Sequence, residues 1–280
     1  MEKRLLILPI SVLLIVMVAL GLTRLSAEDN TPTDEFRPAQ WRLPGFLSEA
    51  SGLARVDENH LLSHNDEKGK VYRIRLEDIQ IDKIAQIGKP SLHADFEGIA
   101  IDGQTVYLSN SGGIVYRLGS FSFDGEDQVI EAEKIDTDLK AACELEGLHY
   151  LDGYLLLPCK SPIDNVYRKH LTVFEHHLAS GETGVRFSIH EDDIAGLGNT
   201  DATAIDFRDG VYYIISGRNL VLVNAEDLST VAYKLRKKFH DRPEGLAIMA
   251  DGSIYIVDDS NGGDGILTRY SSLDELKLKD

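Results

Sequence analysis

Four carboxylates recur at one place in a repeated phrase. An acidic or small residue is followed by a small residue, an aliphatic or β-branched residue and, in most copies, alanine. The copies are Ser51-Gly52-Leu53-Ala54, Glu97-Gly98-Ile99-Ala100, Glu146-Gly147-Leu148-His149, Asp201-Ala202-Thr203-Ala204 and Glu244-Gly245-Leu246-Ala247. Four like charges gathered in space repel one another strongly unless something neutralises them. A hard divalent cation with oxygen ligands, Ca²⁺ or Mg²⁺, is the simplest neutraliser. Glu97, Glu146, Asp201 and Glu244 are therefore candidate metal ligands. The alternative is that each acid accepts hydrogen bonds from backbone N–H groups of a neighbouring segment, with no ligand at all.

The elements that must hold these acids follow from the spacing. The phrase returns after 46, 49, 55 and 43 residues. Each copy leads into a short turn, such as Asp102-Gly103, Asp152-Gly153 or Asp251-Gly252, which suits a tight hairpin. Two strands then follow, rich in β-branched and aromatic residues: Thr105–Ser109 and Ile114–Leu118 in the second copy, Val211–Ser216 and Leu220–Val223 in the fourth. Helical periodicity is scarce, with single turns expected at 77–79, 191–194 and 273–276. A repeat of about 40–50 residues with three or four strands is the pattern of a β-propeller. Five copies predict five blades. Six is the alternative, if a degenerate blade lies in 118–140 or 160–200. A strand within 36–47 is expected to complete the last blade and close the ring, which removes exposed edges.

In a propeller the first strand of each blade lines the central channel, so the recurring acids should gather at one mouth. The ends of the second strands should face the same mouth. They offer Asn65-Asp66, Asn110-Ser111, Cys159-Lys160, Gly217-Arg218 and Asp258-Asp259. Asp66, Lys160, Arg218 and Asp259 are accordingly candidate ligand-binding residues. Lys160 and Arg218 could pair with the acids directly, or hold an anionic ligand. His64 and His149 should lie near the channel, where a histidine can act as a general base. His176 and His177 are expected on the surface.

The chain has 280 residues, 46 acids against 29 Lys and Arg, and a net charge of −17. Such a balance argues against a nucleic-acid partner. With 43% hydrophobic residues the chain can bury a sizeable core. Leu5–Leu22 is an uncharged apolar run preceded by Lys3 and Arg4. It reads as a single-pass membrane helix with its N-terminus in the cytoplasm; a signal peptide cleaved near Ala27 is the alternative. Either way the rest of the chain lies outside the cytoplasm, in the periplasm or beyond. The organisation is then residues 1–27 as anchor, 28–40 as linker and 41–280 as a propeller that is expected to be monomeric. Cys143 and Cys159 lie almost opposite across a hairpin centred near Asp152-Gly153, and a disulfide between them is predicted in that compartment.

No nucleophile elbow, HExxH helix or phosphate loop is present. Asp258 to Gly265 resembles a calcium loop faintly and reads better as a strand connection. The segments Ser48-Glu49-Ala50-Ser51-Gly52-Leu53-Ala54, His64-Asn65-Asp66-Glu67, Pro243-Glu244-Gly245-Leu246-Ala247 and Ile254-Tyr255-Ile256-Val257-Asp258-Asp259 together resemble the SdiA-regulated propeller family. The likeness spans about residues 45–270. Similar phrases occur in phytase-like, esterase-like and lactonase-type propellers. In the lactonase type the Glu of Glu-Gly binds Ca²⁺, which implies Glu97, Glu146 or Glu244 as ligands here, with Asn110 or Asp258 completing the set. The resemblance implies no substrate. The functions expected are a membrane-anchored module that binds a small-molecule or protein ligand with a divalent cation in its channel, or a Ca-dependent hydrolase acting on lactones or phosphoesters.

Overall fold

Hairpin chemistry sets the strand lengths. The structure, a computed structural model, describes residues 36–124, 127–259 and 263–277. The expected anchor therefore lies outside the described residues; among those described, no helix is long and apolar enough to cross a membrane. At Asp152-Gly153 and Asp209-Gly210 both residues take positive φ, the geometry of a type I′ turn whose twist matches the flanking strands.

The strands form five sheets. The first in the chain, β1 (Ala39–Arg42), belongs to the last sheet. Blade 1 is β2 (Ala50–Arg55), β3 (His60–Asn65), β4 (Lys70–Arg75) and β5 (Gln80–Ile87). Blade 2 is β6 (Phe96–Asp102), β7 (Thr105–Asn110) and β8 (Ile114–Leu118). After it, β9 (Gln128–Ile130) runs parallel to β5 as a fifth strand of blade 1, and β10 (Glu133–Asp136) returns to complete blade 2. Blade 3 has its inner strand in two pieces, β11 (Cys143–Leu145) and β12 (His149–Leu151), followed by β13 (Tyr154–Pro162), β14 (His170–His177) and β15 (Thr183–His190). Blade 4 is β16 (Ala202–Arg208), β17 (Val211–Ser216), β18 (Asn219–Asn224) and β19 (Thr230–Lys234). Blade 5 is β20 (Arg242–Ile248), β21 (Ile254–Asp259) and β22 (Ile266–Tyr270), with β1 antiparallel to β22. A single helical turn, α1 (Asp274–Lys277), follows.

The fold is thus an all-β, five-bladed propeller closed by an N-terminal strand. The two segments that could have hidden a sixth blade are spent on β9 and β10 and on the long strands of blade 3. The inner strands touch in the ring order β2, β6, β12, β16, β20 and back to β2. Between blades the core is apolar: Leu62 and Val71 of blade 1, for example, pack with Ile99, Val106 and Leu108 of blade 2.

The channel has a narrow waist because the second residue of the phrase is small. A Cβ on Gly98 would stand 2.5 Å from the carbonyl carbon of Gly147, and one on Gly245 would stand 2.9 Å from that of Gly52. Backbones of neighbouring blades meet directly there, as only glycine permits. The predicted Cys143–Cys159 disulfide is present and ties β11 to β13, with its Cα atoms 5.7 Å apart.

Candidate functional site at the channel mouth

Every inner strand breaks register or is interrupted within its phrase, at the first residue in all blades but the fourth. The shifts fall between Ala50 and Leu53, between Phe96 and Gly98, between Ala202 and Ala204, and between Pro243 and Gly245. In blade 3 the strand is interrupted from Glu146 to Leu148, between β11 and β12. A bulge turns its extra residue out of the ladder and re-aims the side chain. The ring so formed reads Ser51, Glu97, Glu146, Thr203 and Glu244.

One member differs from the sequence expectation. Blade 4 contributes Thr203, not Asp201, because Ala204 takes the place that glycine holds elsewhere: the missing Cβ of Gly147 faces Ala204 and the Thr203 carbonyl. Thr203 donates its hydroxyl to the Pro243 carbonyl at 2.7 Å. Asp201 lies two residues nearer the rim, exposed, and accepts from Asn199 at 3.0 Å.

Three glutamates therefore share the mouth. Glu146 and Glu244 are 6% and 8% exposed, and Glu97 is half-buried. Burial pushes the Glu97 carboxyl up to about 9, helped by repulsion from Glu146, Asp95 and Glu244 and opposed by Lys160. Burial likewise raises Glu244 to about 8, with Glu146 and Asp259 adding to it and Arg242 and Lys160 opposing. Glu146 rises only to about 6, since the Lys160 ammonium bonds it directly and offsets its burial. Burial pulls Lys160 down, but Glu146, Glu244 and Glu97 outweigh it and its pKa rises. Arg242 bridges Glu244 at 3.1 Å and Asp259 at 2.5 Å. The Glu97 carboxyl has no hydrogen-bond or ion-pair partner among the described residues.

Beside this cluster a basin of about 570 Å³ opens between blades 3, 4 and 5, lined among others by Lys160, Asp201, Arg218, Lys234, Arg242 and Glu244. Asp66, on the blade 1 side, is pushed up to about 6 by burial and by Glu49 and Glu67, with Asp259 also contributing. The structure thus brings Glu97, Glu146, Glu244, Lys160 and Asp259 into one electrostatic cluster, and sets Arg218 and Asp201 on the basin wall.

Two expected ligands are held in other bonds. Asn110 Oδ1 accepts from the Ile114 N–H at 2.8 Å and shapes the β7–β8 turn. Asp258 accepts from His240 Nδ1 at 2.8 Å and from the Asp241 N–H at 3.0 Å, while His240 Nε2 meets the Tyr270 hydroxyl at 2.8 Å. Neither is among the groups that act on the three glutamates. Among the described residues no three His, Cys, Asp or Glu side chains converge as a metal-holding group. Lys160 already holds Glu146 and Arg242 holds Glu244, so a divalent cation at the mouth would have to displace both.

The histidines divide. His64 is fully buried against Gly52, its Nε2 without a partner, and burial lowers it to about 4. His149 lies at the opposite end of the channel. His176 corrects an expectation: it is 3% exposed and bonds Thr183 Oγ1 at 2.8 Å. Arg242 was not anticipated; its signal is the Arg-Pro-Glu-Gly spacing, which places it two residues before a bulged glutamate.

No family model and no curated protein matches this chain. Solved structures do. The glutaminyl cyclase of Myxococcus xanthus superposes with a TM-score of 0.53 at 12% identity, over 83% of this chain and 94% of that one. A PQQ-bound aldose sugar dehydrogenase of Streptomyces coelicolor gives 0.48 at 11% identity, over 83% and 98%. A virginiamycin B lyase of Staphylococcus aureus gives 0.41 at 12%, over 81% and 68%. The likeness to the cyclase is one of fold and supports the propeller assignment.

Proposed function

We propose that this propeller is a ligand-binding module whose channel mouth captures a small organic cation, an amine or guanidinium group. The observation that carries this reading is the trio of Glu97, Glu146 and Glu244, buried together with two proton affinities raised to about 9 and about 8. Burial and mutual repulsion raise them, and a bound cation favours the ionised carboxylates, so binding drives proton release and strengthens as pH rises. The adjoining basin gives room for the rest of the ligand. A divalent cation, Ca²⁺ or Mg²⁺, is the competing occupant; an organic cation suits the cluster better because its donors reach carboxylates that do not converge on one point. The Leu5–Leu22 run and the Cys143–Cys159 disulfide support a location outside the cytoplasm on an N-terminal anchor. The resemblance to SdiA-regulated propellers agrees with that placement.

Calorimetry of the full chain in detergent against propylamine, ethylguanidinium, Ca²⁺ and Mg²⁺ tests the reading. Saturable binding of an organic cation with proton release, lost in Glu97→Gln plus Glu244→Gln, supports it. Binding of Ca²⁺ or Mg²⁺ alone replaces it with the metal reading, and heat that survives the double substitution removes the mouth as the site.

A second reading rests on Glu97 itself. A carboxylic acid kept protonated at neutral pH, with no partner, is suited to donate a proton to a leaving group. This gives a hydrolase directed at lactones or phosphoesters. A turnover that falls as pH rises through about 9 and is lost in Glu97→Gln would establish it; no turnover on either substrate class would end it.

A further inference from the structure

The waist formed by the glycines separates the acidic mouth from a second chamber at the other end of the channel. That chamber has a volume of about 220 Å³ and is lined by 53–55, 99–101, 148–151 and 205–207. It holds roughly seven waters' worth of space. In blades 1 to 4 the fourth residue of the phrase, counted in blade 4 from Thr203, sits here. Blades 1, 2 and 5 have Ala54, Ala100 and Ala247; blades 3 and 4 depart from the pattern with His149 and Asp206.

His149 Nδ1 stands 3.2 Å from Asp206 Oδ1. The carboxylate is further held by the N–H groups of Phe207 at 2.7 Å and Ile248 at 2.6 Å. Its acceptor capacity is therefore largely used. With its proton on Nδ1, facing the carboxylate, the ring leaves Nε2 as the other nitrogen. No partner for Nε2 is present among the described residues. Arg55, on the same wall, stands 3.9 Å from the exposed Glu58, beyond hydrogen-bond distance, and its charge also acts on Asp206, whose carboxyl burial pushes up. Its planar fork of donors is unspent.

We propose that this lower chamber is a second binding site, for a small oxyanion of the phosphate-monoester or carboxylate class. Arg55 supplies the charge and the bidentate donors. His149 takes up a proton at Nε2 and becomes the second donor, while Asp206 holds the ring in place and balances the imidazolium. Without the anion, burial keeps His149 below its ordinary value, with Arg55 acting in the same direction and Asp206 opposing. The other facing groups are few. Blade 2 presents Ile99, Ala100 and Ile101, with Asp102 engaged by Tyr150; blade 5 presents the backbone of Ile248. An anion beside Arg55 cancels the positive field on His149, so anion binding and protonation reinforce each other.

The test uses the full chain in detergent with ¹³C-labelled histidine, the His149 signal being assigned by its loss in His149→Gln. Inorganic phosphate and acetate are the two probes. The expected result is a saturable shift of the His149 signal at millimolar phosphate or acetate, with its apparent pKa raised by about one unit, a tenfold preference for the protonated form. Arg55→Gln, an exposed substitution that leaves the fold intact, abolishes saturation. Glu97→Gln, at the far mouth, leaves it unchanged and so separates this site from the one above. A response to one probe but not the other assigns the oxyanion class. No saturable shift with either anion overturns the proposal, as does a shift retained in Arg55→Gln, or a response to Zn²⁺ alone.

Discussion

Replacing Glu97 by glutamine should stabilise the protein at neutral pH. The folded carboxyl ionises only near about 9, against 4.5 for an ordinary glutamic acid. Below pH 4.5 the group is protonated in both folded and unfolded chains and contributes nothing to pH dependence. Above it the unfolded chain loses the proton and the folded chain keeps it, so stability falls as pH rises, until the folded group also ionises near pH 9. At about pH 7 the gap is roughly 2.5 units, or about 3 kcal/mol at 1.36 kcal/mol per unit. Glutamine has the same shape, carries no charge, and forfeits no hydrogen bond, since the carboxyl has no partner among the described residues. For a domain of this size about 3 kcal/mol is about 6–12 °C in melting temperature. Thermal melts of the wild type and Glu97→Gln, at acid, neutral and alkaline pH, measure the difference. It should be near zero at about pH 4.5 and grow up to about pH 9. Equal melting temperatures at neutral pH, or a gain independent of pH, would refute the reasoning that burial and like charge keep Glu97 protonated.

Three further outcomes follow from the same geometry. Reducing the Cys143–Cys159 bridge, or Cys143→Ser with Cys159→Ser, opens a 16-residue span and should cost about 3 kcal/mol, seen as a lower urea midpoint. Gly98→Ala places a Cβ against the Gly147 backbone and should destabilise by about 3 kcal/mol or more, whereas Gly112→Ala, whose nearest neighbour is a side-chain oxygen at 3.6 Å, should be nearly neutral in the same melts. Asp258→Ala strands His240 and the Asp241 N–H in a buried site and should cost about 3 kcal/mol, with cation binding at the mouth unchanged by calorimetry.

The architecture was legible because its signals are local. Asp152-Gly153 and Asp209-Gly210 dictate hairpins by backbone preference alone, and five copies of one phrase count the blades. Lys160 was legible from its place at the end of a second strand. The fourth ring member was misread for a definable reason. Ala202 and Ala204 both follow a polar residue, and a shift of two residues preserves the strand alternation that sequence reading relies on. The bulge at Thr203, which decides between them, has no signature in composition. His176 escaped for a similar reason: the register shifts between Val173 and Phe174, and alternation counted from the start of the strand cannot locate its inward face. The bond of Asp258 to His240, 18 residues away, is a tertiary event that only packing shows.

A pseudo-symmetric ring makes its exceptions informative. Where all five blades agree, as at the small residue of the waist, the shared cause is backbone crowding and a structural role suffices. Where copies diverge, packing alone gives no reason for the difference. At the upper mouth the bulged position carries three glutamates, one serine and one threonine, and with Asp259 the carboxyl groups outnumber Lys160 and Arg242, so Glu97 and Glu244 hold their protons at neutral pH. At the lower end, Ala54 and Ala100 leave the room beside His149 and Asp206. If that pair only filled space, His149→Ala and Asp206→Ala would each cost what a buried polar truncation costs and their effects would add. If Asp206 instead orients and charges the imidazole, a double-mutant cycle should show coupling of about 1 kcal/mol or more, larger at acid pH where the imidazole is protonated. Coupling near zero at both acid and alkaline pH would reduce the pair to filler and leave Arg55 as a lone surface charge.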